Sequence, residues 1–497
     1  METELKLHLT DPARWNAILR TPALLELAGG QPPRQEHLEA RYFDTADGAL
    51  RQARLAYRIR REGARWVATI KADGSSFGGL HQRPEWNVAV AEPTPDLAPF
   101  LATPIGPTLR EAVSDAPLVE LFRTRFERTM LDLHTPTGDA IEFAADRGEI
   151  LAGEAREAIL ELELELKAGE PGALLRLGAR LARDFPLLPE PRSKFHRALL
   201  LAGLDARPAR FAADDFEPDP AAPAGTVLSH LLIHEIHRLL DRQAAFLDAP
   251  DDAESLHQLR VQLRRLRALL AFAKPLLGSG YDEHQDALRQ WGRSLASVRE
   301  IDVLISAWQA LRADALFPLP GQDALGALLG KQRRHALALV REAVGHGQST
   351  PVLLELWAWL LTTPLHGETP LAEFSTARLR QWLKGLRKAG STTDWHDPTA
   401  LHRLRIRGKK LRYVLQALMP VLPAGSDRLV RRLLKLQKQL GQLHDAALTP
   451  AQLDALLPPR ATAQLQREAG LLAGWQYHAA LEARRKLLKQ WKRMRRE

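Results

Sequence analysis

ILELELELK, residues 159–167, alternates leucine with glutamate over most of its length. Successive side chains of a β-strand point to opposite faces, so the leucines lie on one face and Glu161, Glu163 and Glu165 lie on the other. The segment therefore predicts a strand that is apolar on one face and ionic on the other.

Other short segments upstream of residue 203 share this alternation, and turn sequences such as ADG, SSFGG and TPTGD separate them. They predict a mainly antiparallel sheet, accompanied by helices near residues 12–27 and 172–184. The segments are ETELKLHL, LAYRIR, RWVATIK, RPEWNVAV, LFRTRF and AIEFAAD. Their predicted charged faces collect Glu2, Glu4, Lys6, Arg58, Arg60, Lys71, Arg83, Glu85, Arg123, Arg125, Glu142 and Asp146.

These charged faces have two interpretations. A solvated outer face is the ordinary place for charged strand residues. Glutamates two residues apart repel each other, however, unless water or a cation screens them, and carboxylate oxygens are the ligands that Mg²⁺ and Mn²⁺ prefer. If the sheet closes into a barrel with its charged faces inward, carboxylates can hold metal while arginine and lysine hold phosphate oxygens. The recurrence over several strands favours the inward arrangement.

A segment rich in Pro, Ala and Asp over residues 206–225 lacks helical and strand periodicity and predicts a linker. It separates a domain over residues 1–205 from a domain over residues 226–497, whose long apolar stretches at helical spacing predict an all-α domain. HQLRVQLRRLRALL from His257 matches HRLRIRGKKLRYVL from His402, and the same offset of 145 residues superposes Glu300 on Asp445. The repeat predicts two related helical bundles with pseudo-twofold symmetry.

Each copy of the repeat carries a cationic stripe, which falls within about an 80° sector of one helix. A lone basic stripe is usually a solvated face. Neighbouring like charges repel, however, and the recurrence of the stripe in both copies favours a bound polyanion. The stripes are His257, Arg260, Arg264 and Arg267 in the first copy and His402, Arg405, Lys409 and Arg412 in the second.

The charge of the chain is divided in the same way. Residues 226–497 contain 41 basic and 25 acidic residues, whereas residues 1–225 contain 28 and 35. A basic domain attracts polyanions, whether nucleic acid, an anionic membrane surface or polyphosphate. The chain has no cysteine, so any metal must be held by Asp, Glu or His. Because neither a signal peptide pattern nor a long apolar run is present, we expect a cytoplasmic protein.

ETELK, residues 2–6, resembles the ExExK signature of the CYTH family, the triphosphate tunnel metalloenzymes, which include adenylyl cyclases of one class, thiamine triphosphatases and inorganic triphosphatases. The resemblance continues in order through YFDT, YRIR, TIK, GGLHQRPEW, DRGEI, ELELELK and SK, over roughly residues 1–203. It implies an eight-stranded antiparallel tunnel that uses Mg²⁺ or Mn²⁺. The implied metal ligands are Glu2, Glu4, Asp146, Glu161 and Glu163. The implied phosphate contacts are Lys6, Arg58, Arg60, Lys71, Arg83, Arg123, Arg125 and Lys194.

These residue types suit hydrolysis without a nucleophilic side chain. One metal can bridge phosphate oxygens, a second can acidify a water for in-line attack, and a tunnel carboxylate can accept the proton. The cations offset charge on the leaving pyrophosphate. The predicted catalytic residues are Glu2, Glu4, Lys6 and Glu163. Neither a Walker glycine loop nor an HExxH motif is present.

HQLRV, RRLR and LASVREIDVL, followed by HRLRI, KKLRY and LGQLHDAAL, resemble the CHAD domain, a helical module associated with polyphosphate and often found behind a CYTH domain. The resemblance spans about residues 226–497 and implies that both stripes contact polyphosphate, with His257 and His402 secondary. CHAD domains usually have aspartate after the arginine of VRD, where this chain has Glu300.

We therefore predict an α+β chain, in which an eight-stranded antiparallel β-barrel tunnel with flanking helices precedes an all-α domain of two related helical bundles. The predicted activity is metal-dependent hydrolysis of inorganic triphosphate to pyrophosphate and phosphate, with long-chain polyphosphate bound by the helical domain. A non-catalytic polyphosphate-binding scaffold and an enzyme acting on thiamine triphosphate or ATP are the alternatives. We expect no membrane partner and no nucleic acid partner, and the sequence contains no signal for an oligomeric state.

Overall fold

The computed structural model describes residues 2–72, 74–113, 116–205, 216–315, 319, 321–363 and 365–494. The chain divides into two compact units. Unit 1 comprises residues 1–214 and 344–362, and unit 2 comprises residues 215–343 and 363–497. Residues 206–215 of the predicted linker lie outside the described residues.

Unit 1 is built on one antiparallel sheet of eleven strands. The alternating segments of the sequence form its long strands, and glycine-containing turns connect several of them. The strands are β1 (Glu2–Leu9), β2 (Arg34–Thr45), β3 (Ala56–Glu62), β4 (Arg65–Lys71), β5 (Ser75–Phe77), β6 (Leu80–Arg83), β7 (Glu85–Val90), β8 (Leu118–His134), β9 (Ala140–Ala152), β10 (Ala155–Ala168) and β11 (Leu187–Pro189).

The order of the strands closes the sheet into a ring. Neighbouring strands run β1-β10-β9-β8-β2-β3-β4-β7, while β6 pairs with β1. Pro84 alone separates β6 from β7, and because proline has no N–H to donate, the chain leaves one partner strand and joins the other at this residue. With β6 and β7 counted as one position, the ring has the eight predicted positions. The prediction of an eight-stranded antiparallel tunnel is confirmed.

The helices lie in both units, and short 3₁₀ turns accompany some of them. Those of unit 1 before residue 206 are α1 (Trp15–Ile18), α2 (Pro22–Leu27), α3 (Ala49–Gln52), α4 (Gly106–Val113), α5 (Pro171–Asp184) and α6 (Lys194–Leu201). The later helices are α7 (Ala224–Asp248), α8 (Ala253–Ala273), α9 (Tyr281–Ser294), α10 (Ala296–Asp314), α11 (Ala324–Gly345), α12 (Thr350–Thr362), α13 (Leu371–Ser391), α14 (Pro398–Ala417), α15 (Ser426–Leu456) and α16 (Ala463–Met494).

Over β1 and β10 the outer face of the ring is apolar and is covered by helix α5. Leu5 and Leu164 are fully buried there, and α5 packs on β1 and β10. Gly178 permits a close approach, since a Cβ at this position would lie 2.6 Å from Leu5 Cδ2 and 3.2 Å from Leu354 Cδ1. Leu354 belongs to α12, which the sequence prediction assigned to the helical domain but which packs against α5 in unit 1. The ionic face of the sheet is left to point inward.

The two copies of the repeat in unit 2 have matching boundaries. Helices α8 and α14 start at positions related by the 145-residue offset, and an aspartate caps each of them, Asp252 and Asp397. Helices α9 and α15 also start at related positions, after Gly280 and Gly425 in the left-handed region. The copies differ after Leu295, where α10 begins, whereas α15 continues without a break. The predicted all-α architecture with an internal repeat is confirmed.

Among the helices of the described residues, none has both the length and the apolar character that crossing a membrane requires.

Candidate active site and polyanion site

A cavity of about 480 Å³, which we call the tunnel pocket, lies within the ring of strands. Its wall carries carboxylates and cations from nearly every strand, as expected if the ionic face points inward. The charged lining residues are Glu2, Glu4, Lys6, Arg58, Arg60, Lys71, Arg83, Glu85, Arg128, Glu142, Glu163, Glu165, Lys167 and Lys194.

Lys6 lies at the centre of one wall, directly opposite Glu163 in the pairing of β1 with β10. Its ammonium group donates to Glu163 and lies 3.2 Å from Glu4 and 3.6 Å from Glu161. Burial by itself lowers the pKa of Lys6, but Glu163 and Glu4 outweigh it and hold that pKa above its ordinary value. Burial likewise opposes ionisation of Glu4, but Lys6 lowers its pKa to about 2. The wall is therefore a fixed array of full charges.

Lys194 occupies a nest of three buried carboxylates. Its Nζ lies 2.8 Å from Asp146 Oδ2, 2.6 Å from Glu161 Oε1 and 2.9 Å from Glu163 Oε1. One oxygen from each of these acids lies within 4.8 Å of the others, a spacing that a metal ion could also bridge. Asp146 and Glu161 have no exposed surface and lie behind the wall of the tunnel pocket. Arg128 adds a second cation, with two 2.7 Å hydrogen bonds to Asp146.

Glu2, two positions before Glu4 on β1, lies beside Glu85 and Lys71. The Lys71 ammonium lies 2.8 Å from Glu2 Oε2 and 2.6 Å from Glu85 Oε2. Burial, followed by the charge of Glu4, raises the pKa of Glu2 to about 7. In Glu85 burial is outweighed by Lys71 and Arg58, which hold its pKa well below the usual range. Three glutamates of the predicted charged faces that are not among the implied metal ligands also line the tunnel pocket: Glu85, Glu142 and Glu165.

The structure places two predicted phosphate contacts outside the tunnel pocket. Arg123 and Arg125 lie on the outer face of β8, where both approach Glu39 within 4 Å. The inward positions of β8 include Phe126 and Arg128. The sequence prediction chose the wrong face because arginines occur at both parities of this strand. The prediction did not include Arg128, which lies in the same strand but, like Phe126, on the face opposite to Arg123 and Arg125.

Buried side chains of helix α6 contact charged residues of β10. Ser193 caps the helix by accepting from His196 N–H, and Lys194 follows as its first residue. Arg197, 3% exposed, donates to Glu157 at 2.7 Å, to Glu161 at 3.2 Å and to the Ala158 carbonyl at 2.7 Å. This fork anchors α6 to β10 and thereby fixes where Lys194 enters the carboxylate nest. The sequence reasoning did not identify Arg197.

The donor atoms of the predicted metal ligands in the tunnel fit a divalent metal. All are carboxylate oxygens, which suits Mg²⁺ or Mn²⁺ rather than a metal that prefers nitrogen or sulfur. Glu2, Glu4 and Glu163 line the tunnel pocket, and Asp146 and Glu161 lie behind Glu163. The predicted ligands are thus brought to one region, interleaved with cations.

In unit 2 the two cationic stripes face each other, since α8 packs against α14. Arg264 and Lys409 are equivalent positions of the repeat, and within the described residues neither has a hydrogen-bond or ion-pair partner. Burial, followed by Arg405 and Arg264, lowers the pKa of Lys409 to about 7. Burial and Arg264 lower the pKa of Arg260 to about 10. In this cluster the cations outweigh the nearby acids Glu300, Asp302 and Asp445, and such an excess of positive charge favours a bound polyanion.

The remaining stripe residues differ in how firmly they are held. The Nε groups of Arg267 and Arg412 each donate to a glutamine, Gln285 at 3.0 Å and Gln437 at 2.9 Å. The buried Nε groups of Arg260 and Arg405 have no hydrogen-bond partner among the described residues. Within the part of the chain that the structure describes, Arg260 and Arg405 therefore each keep one buried donor without a partner, in addition to the unpaired Arg264 and Lys409.

The first copy also includes a cation that the sequence reasoning missed. Arg299 of α10 acts electrostatically on His257, Arg260 and Arg405, so it extends the cluster beyond α8 and α14. Its position immediately before Glu300 in the VRE segment was the available signal. In the second copy His402 contacts His444, which the offset of 145 residues aligns with Arg299.

Comparison with known proteins identifies both parts of the chain. Residues 1–199 match the CYTH domain, and residues 230–454 match the CHAD domain. A protein of Haemophilus influenzae named inorganic triphosphatase is 32% identical over 165 residues, which are 32% of this chain and 44% of that protein. The chain thus spans less than half the length of this relative. An uncharacterized protein of Mycobacterium tuberculosis is 26% identical over 443 residues, 84% of this chain and 82% of the relative.

A solved structure agrees with the assignment of the helical part. The crystal structure of the CHAD domain from the plant Ricinus communis has a TM-score of 0.50 and 25% identity, covering 57% of this chain and 97% of that chain. The tunnel of ionic strands, the duplicated cationic helices and these matches together identify the chain as a CYTH domain, residues 1–199, followed by a CHAD domain, residues 230–454.

Proposed function

We propose that unit 1 hydrolyses inorganic triphosphate to pyrophosphate and phosphate in the tunnel pocket, and that unit 2 binds long-chain polyphosphate. The observation that carries the first part is a single 480 Å³ cavity lined by both carboxylates and cations. A site built only to retain a polyanion would have cations alone. The relative named inorganic triphosphatase supports the choice of substrate.

The cations of the tunnel pocket bind and orient the phosphate chain. Lys6, Arg58, Arg60, Lys71, Arg83, Arg128 and Lys194 provide fixed positive charge on several sides of the cavity. Because neighbouring carboxylates already hold several of these cations, little reorganisation is needed when substrate enters. Their charge also offsets the negative charge that develops on the pyrophosphate leaving group.

The carboxylates have the complementary role. Glu2, Glu4, Asp146, Glu161 and Glu163 would hold Mg²⁺ or Mn²⁺, which when bound neutralises phosphate oxygens and acidifies a water for attack on phosphorus. Glu163 and Glu4 keep their charge beside Lys6, whereas burial and the charge of Glu4 raise the pKa of Glu2 to about 7. Glu2 is therefore suited to accept the proton of the attacking water.

The binding function of unit 2 rests on its uncompensated cations. Arg264 and Lys409 have no partner among the described residues, while Arg260 and Arg405 keep free Nε donors. A flexible chain with one charge on each phosphate can satisfy all of them at once, and counterion release then makes the affinity depend on salt.

The decisive experiment measures phosphate release from triphosphate, long polyphosphate, ATP and thiamine triphosphate, each with Mg²⁺ and with Mn²⁺. We expect turnover to be fastest on triphosphate and to disappear in EDTA. Faster turnover of ATP or thiamine triphosphate would mean that the same site acts on an organic triphosphate. Absence of turnover on all four, with retained binding of polyphosphate, would make the chain a non-catalytic scaffold.

A further inference from the structure

The duplicated cationic site of unit 2 is chemically unequal in its two halves. Arg264 of the first copy is replaced by Lys409 in the second, and Arg299 is replaced by His444. The first half therefore has arginines, which stay charged at any physiological pH, where the second has groups that can lose their proton. Each half keeps the histidine of its stripe.

His402 and His444 form an unusual contact. Their Nδ1 atoms lie 3.2 Å apart, and their ring centroids lie 4.4 Å apart with an angle of 36° between the planes. At this separation one Nδ1 must donate a hydrogen and the other must accept it, so at least one ring is neutral. If both rings carried a proton on Nδ1, two N–H groups would point at each other and the contact would break.

The surroundings of the pair are cationic. Arg405 and Lys409 of α14 act on both rings, and His402 acts on His444. Asp445 of α15 interacts electrostatically with Arg405, Lys409 and Arg299. From α8, Arg264 acts on Arg405 and Lys409, and no charged group of the described part of α16 acts on either ring. This positive charge acts in the same direction as burial and disfavours protonation of the histidine pair.

We propose that His402 and His444 form a proton-dependent position for one phosphate group of the bound polyphosphate. The incoming oxyanion replaces the single N–H···N hydrogen bond: the ring that already carries a hydrogen on Nδ1 donates it to a phosphate oxygen, and the former acceptor ring gains one proton on its Nδ1 and donates that one too. The additional proton comes from solvent, so binding takes up protons. This inference rests on the proposed binding of polyphosphate by unit 2.

The electrostatics of the pair agree with this geometry. Burial first, then Arg405 and His402, lowers the pKa of His444 to about 4, and burial and Arg405 also lower the pKa of His402. Both rings are consequently uncharged at neutral pH in the free protein. Lys409, with its pKa near 7, is only partly charged and would take up protons in the same event. Arg299, the equivalent of His444 in the first copy, stays charged and takes up no proton.

The test uses the full-length chain and long-chain polyphosphate, whose internal phosphates stay ionised throughout the pH range. Titration calorimetry in two buffers of different ionisation enthalpy gives the number of protons taken up at pH 7. We expect His444→Gln, His402→Gln and the double variant to take up fewer protons than the wild type. Their affinity should also rise less steeply as the pH falls from 7.5 to 5.5, by about tenfold per pH unit for each missing proton.

The matched control is Arg299→Gln, the equivalent position of the first copy. It should weaken binding at every pH but reduce the number of protons taken up less than His444→Gln does, because Arg299 itself stays charged. A second readout is the NMR titration of the His444 ring, whose midpoint should move to higher pH when polyphosphate is added. Because the comparison is between variants of one chain, any proton uptake in the tunnel pocket cancels.

The possible failures are distinguishable. If the wild type binds polyphosphate with salt-dependent affinity but His444→Gln and the double variant take up as many protons as the wild type, the inference is overturned and the proposed function stands. If the wild type does not bind polyphosphate at either pH 7.5 or pH 5.5, the proposed function of unit 2 falls, and the inference falls with it.

Discussion

At the scale of single residues, strand β8 illustrates how a side chain acquires its role. Arg125 and Arg128 have the same chemistry and lie three positions apart, yet only Arg128 enters the tunnel pocket. Arg128 forms a two-pronged contact with Asp146 and also donates to Glu163. Arg125 is more than half exposed and approaches Glu39 at 3.7 Å. Parity along the strand, rather than residue type, decides which arginine can reach a phosphate.

Arg128→Gln should lower kcat/KM for triphosphate by about 100-fold or more, because it removes a preorganised cation from the tunnel and leaves Asp146 undercompensated. Arg125→Gln, on the outer face of the same strand, is the matched control, and its kcat/KM should stay within about twofold of the wild-type value. Steady-state phosphate release at saturating Mg²⁺ measures both. Equal losses in the two variants would contradict the corrected assignment.

Lys409 makes the stability of the free protein depend on pH. Because burial and neighbouring cations lower its pKa to about 7, the unfolded chain binds more protons than the folded chain between about pH 7 and 10.5. Stability should therefore rise with pH across this interval, by up to about 1.4 kcal/mol for each unit of the shift. Lys409→Met should melt at a higher temperature near pH 7 and show a flatter pH profile.

Scanning calorimetry without polyphosphate at several pH values between 6.5 and 10 measures this effect. Lys438→Met, at an exposed position of α15, is the control and should keep the slope of the wild type. If Lys409→Met kept that slope too, Lys409 would not be the group responsible.

At the scale of secondary-structure elements, α12 is the least expected feature. It lies far downstream of the strands in sequence, yet it belongs to unit 1 and covers α5. Its sequence TPVLLELWAWLLT is apolar around most of its circumference, which is typical of a helix buried on several sides. The tunnel unit is therefore completed by a segment that follows it by more than a hundred residues.

Leu354→Ala should destabilise unit 1 by about 2–5 kcal/mol, because Leu354 is fully buried and reaches the surface of α5 at Gly178. Leu361→Ala, on the same helix but 44% exposed, should cost less than about 0.5 kcal/mol. Denaturant unfolding followed by loss of triphosphate turnover reports on unit 1. A wild-type midpoint for Leu354→Ala would show that α12 is dispensable to the tunnel.

At the scale of the whole molecule, charge is partitioned between the two units. Strands that interleave both signs form the tunnel, whereas residues 226–497 have a net charge of +16. A general positive field attracts any polyanion, but the stripe cations of α8 and α14 are partly buried and act on one another across these two packed helices. We therefore expect a chain that distinguishes polyphosphate from duplex DNA.

The double variant Arg264→Glu/Lys409→Glu should weaken the binding of long polyphosphate by about 100-fold and make the affinity less dependent on salt, by about one unit of slope for each lost contact. Arg403→Glu/Arg407→Glu, at two exposed positions of the same helix α14, is the control with the same change in net charge and should change binding only slightly. Fluorescence anisotropy over a range of salt concentrations, with duplex DNA as competitor, measures both. Equal effects of the stripe and control variants would mean that only the general field matters.

Local pattern was enough to predict much of this protein. The alternation in ILELELELK and in ETELK depends only on neighbours in sequence and predicted the ionic strands, and the match of two segments 145 residues apart predicted the helical repeat. The tunnel acids Glu2, Glu4 and Glu163 follow from the same alternation. Periodicity is readable from sequence because backbone geometry fixes which side chains share a face.

Tertiary structure decided what periodicity leaves open. Which face of β8 points inward depends on how the strand pairs with β2 and β9, and this placed Arg128 in the tunnel instead of Arg123 and Arg125. The anchoring of α6 by Arg197, the packing of α12 on α5 and the contact of His402 with His444 each join residues far apart in sequence. Such contacts depend on the closure of the ring and on the packing of helices, which no local window of the sequence contains.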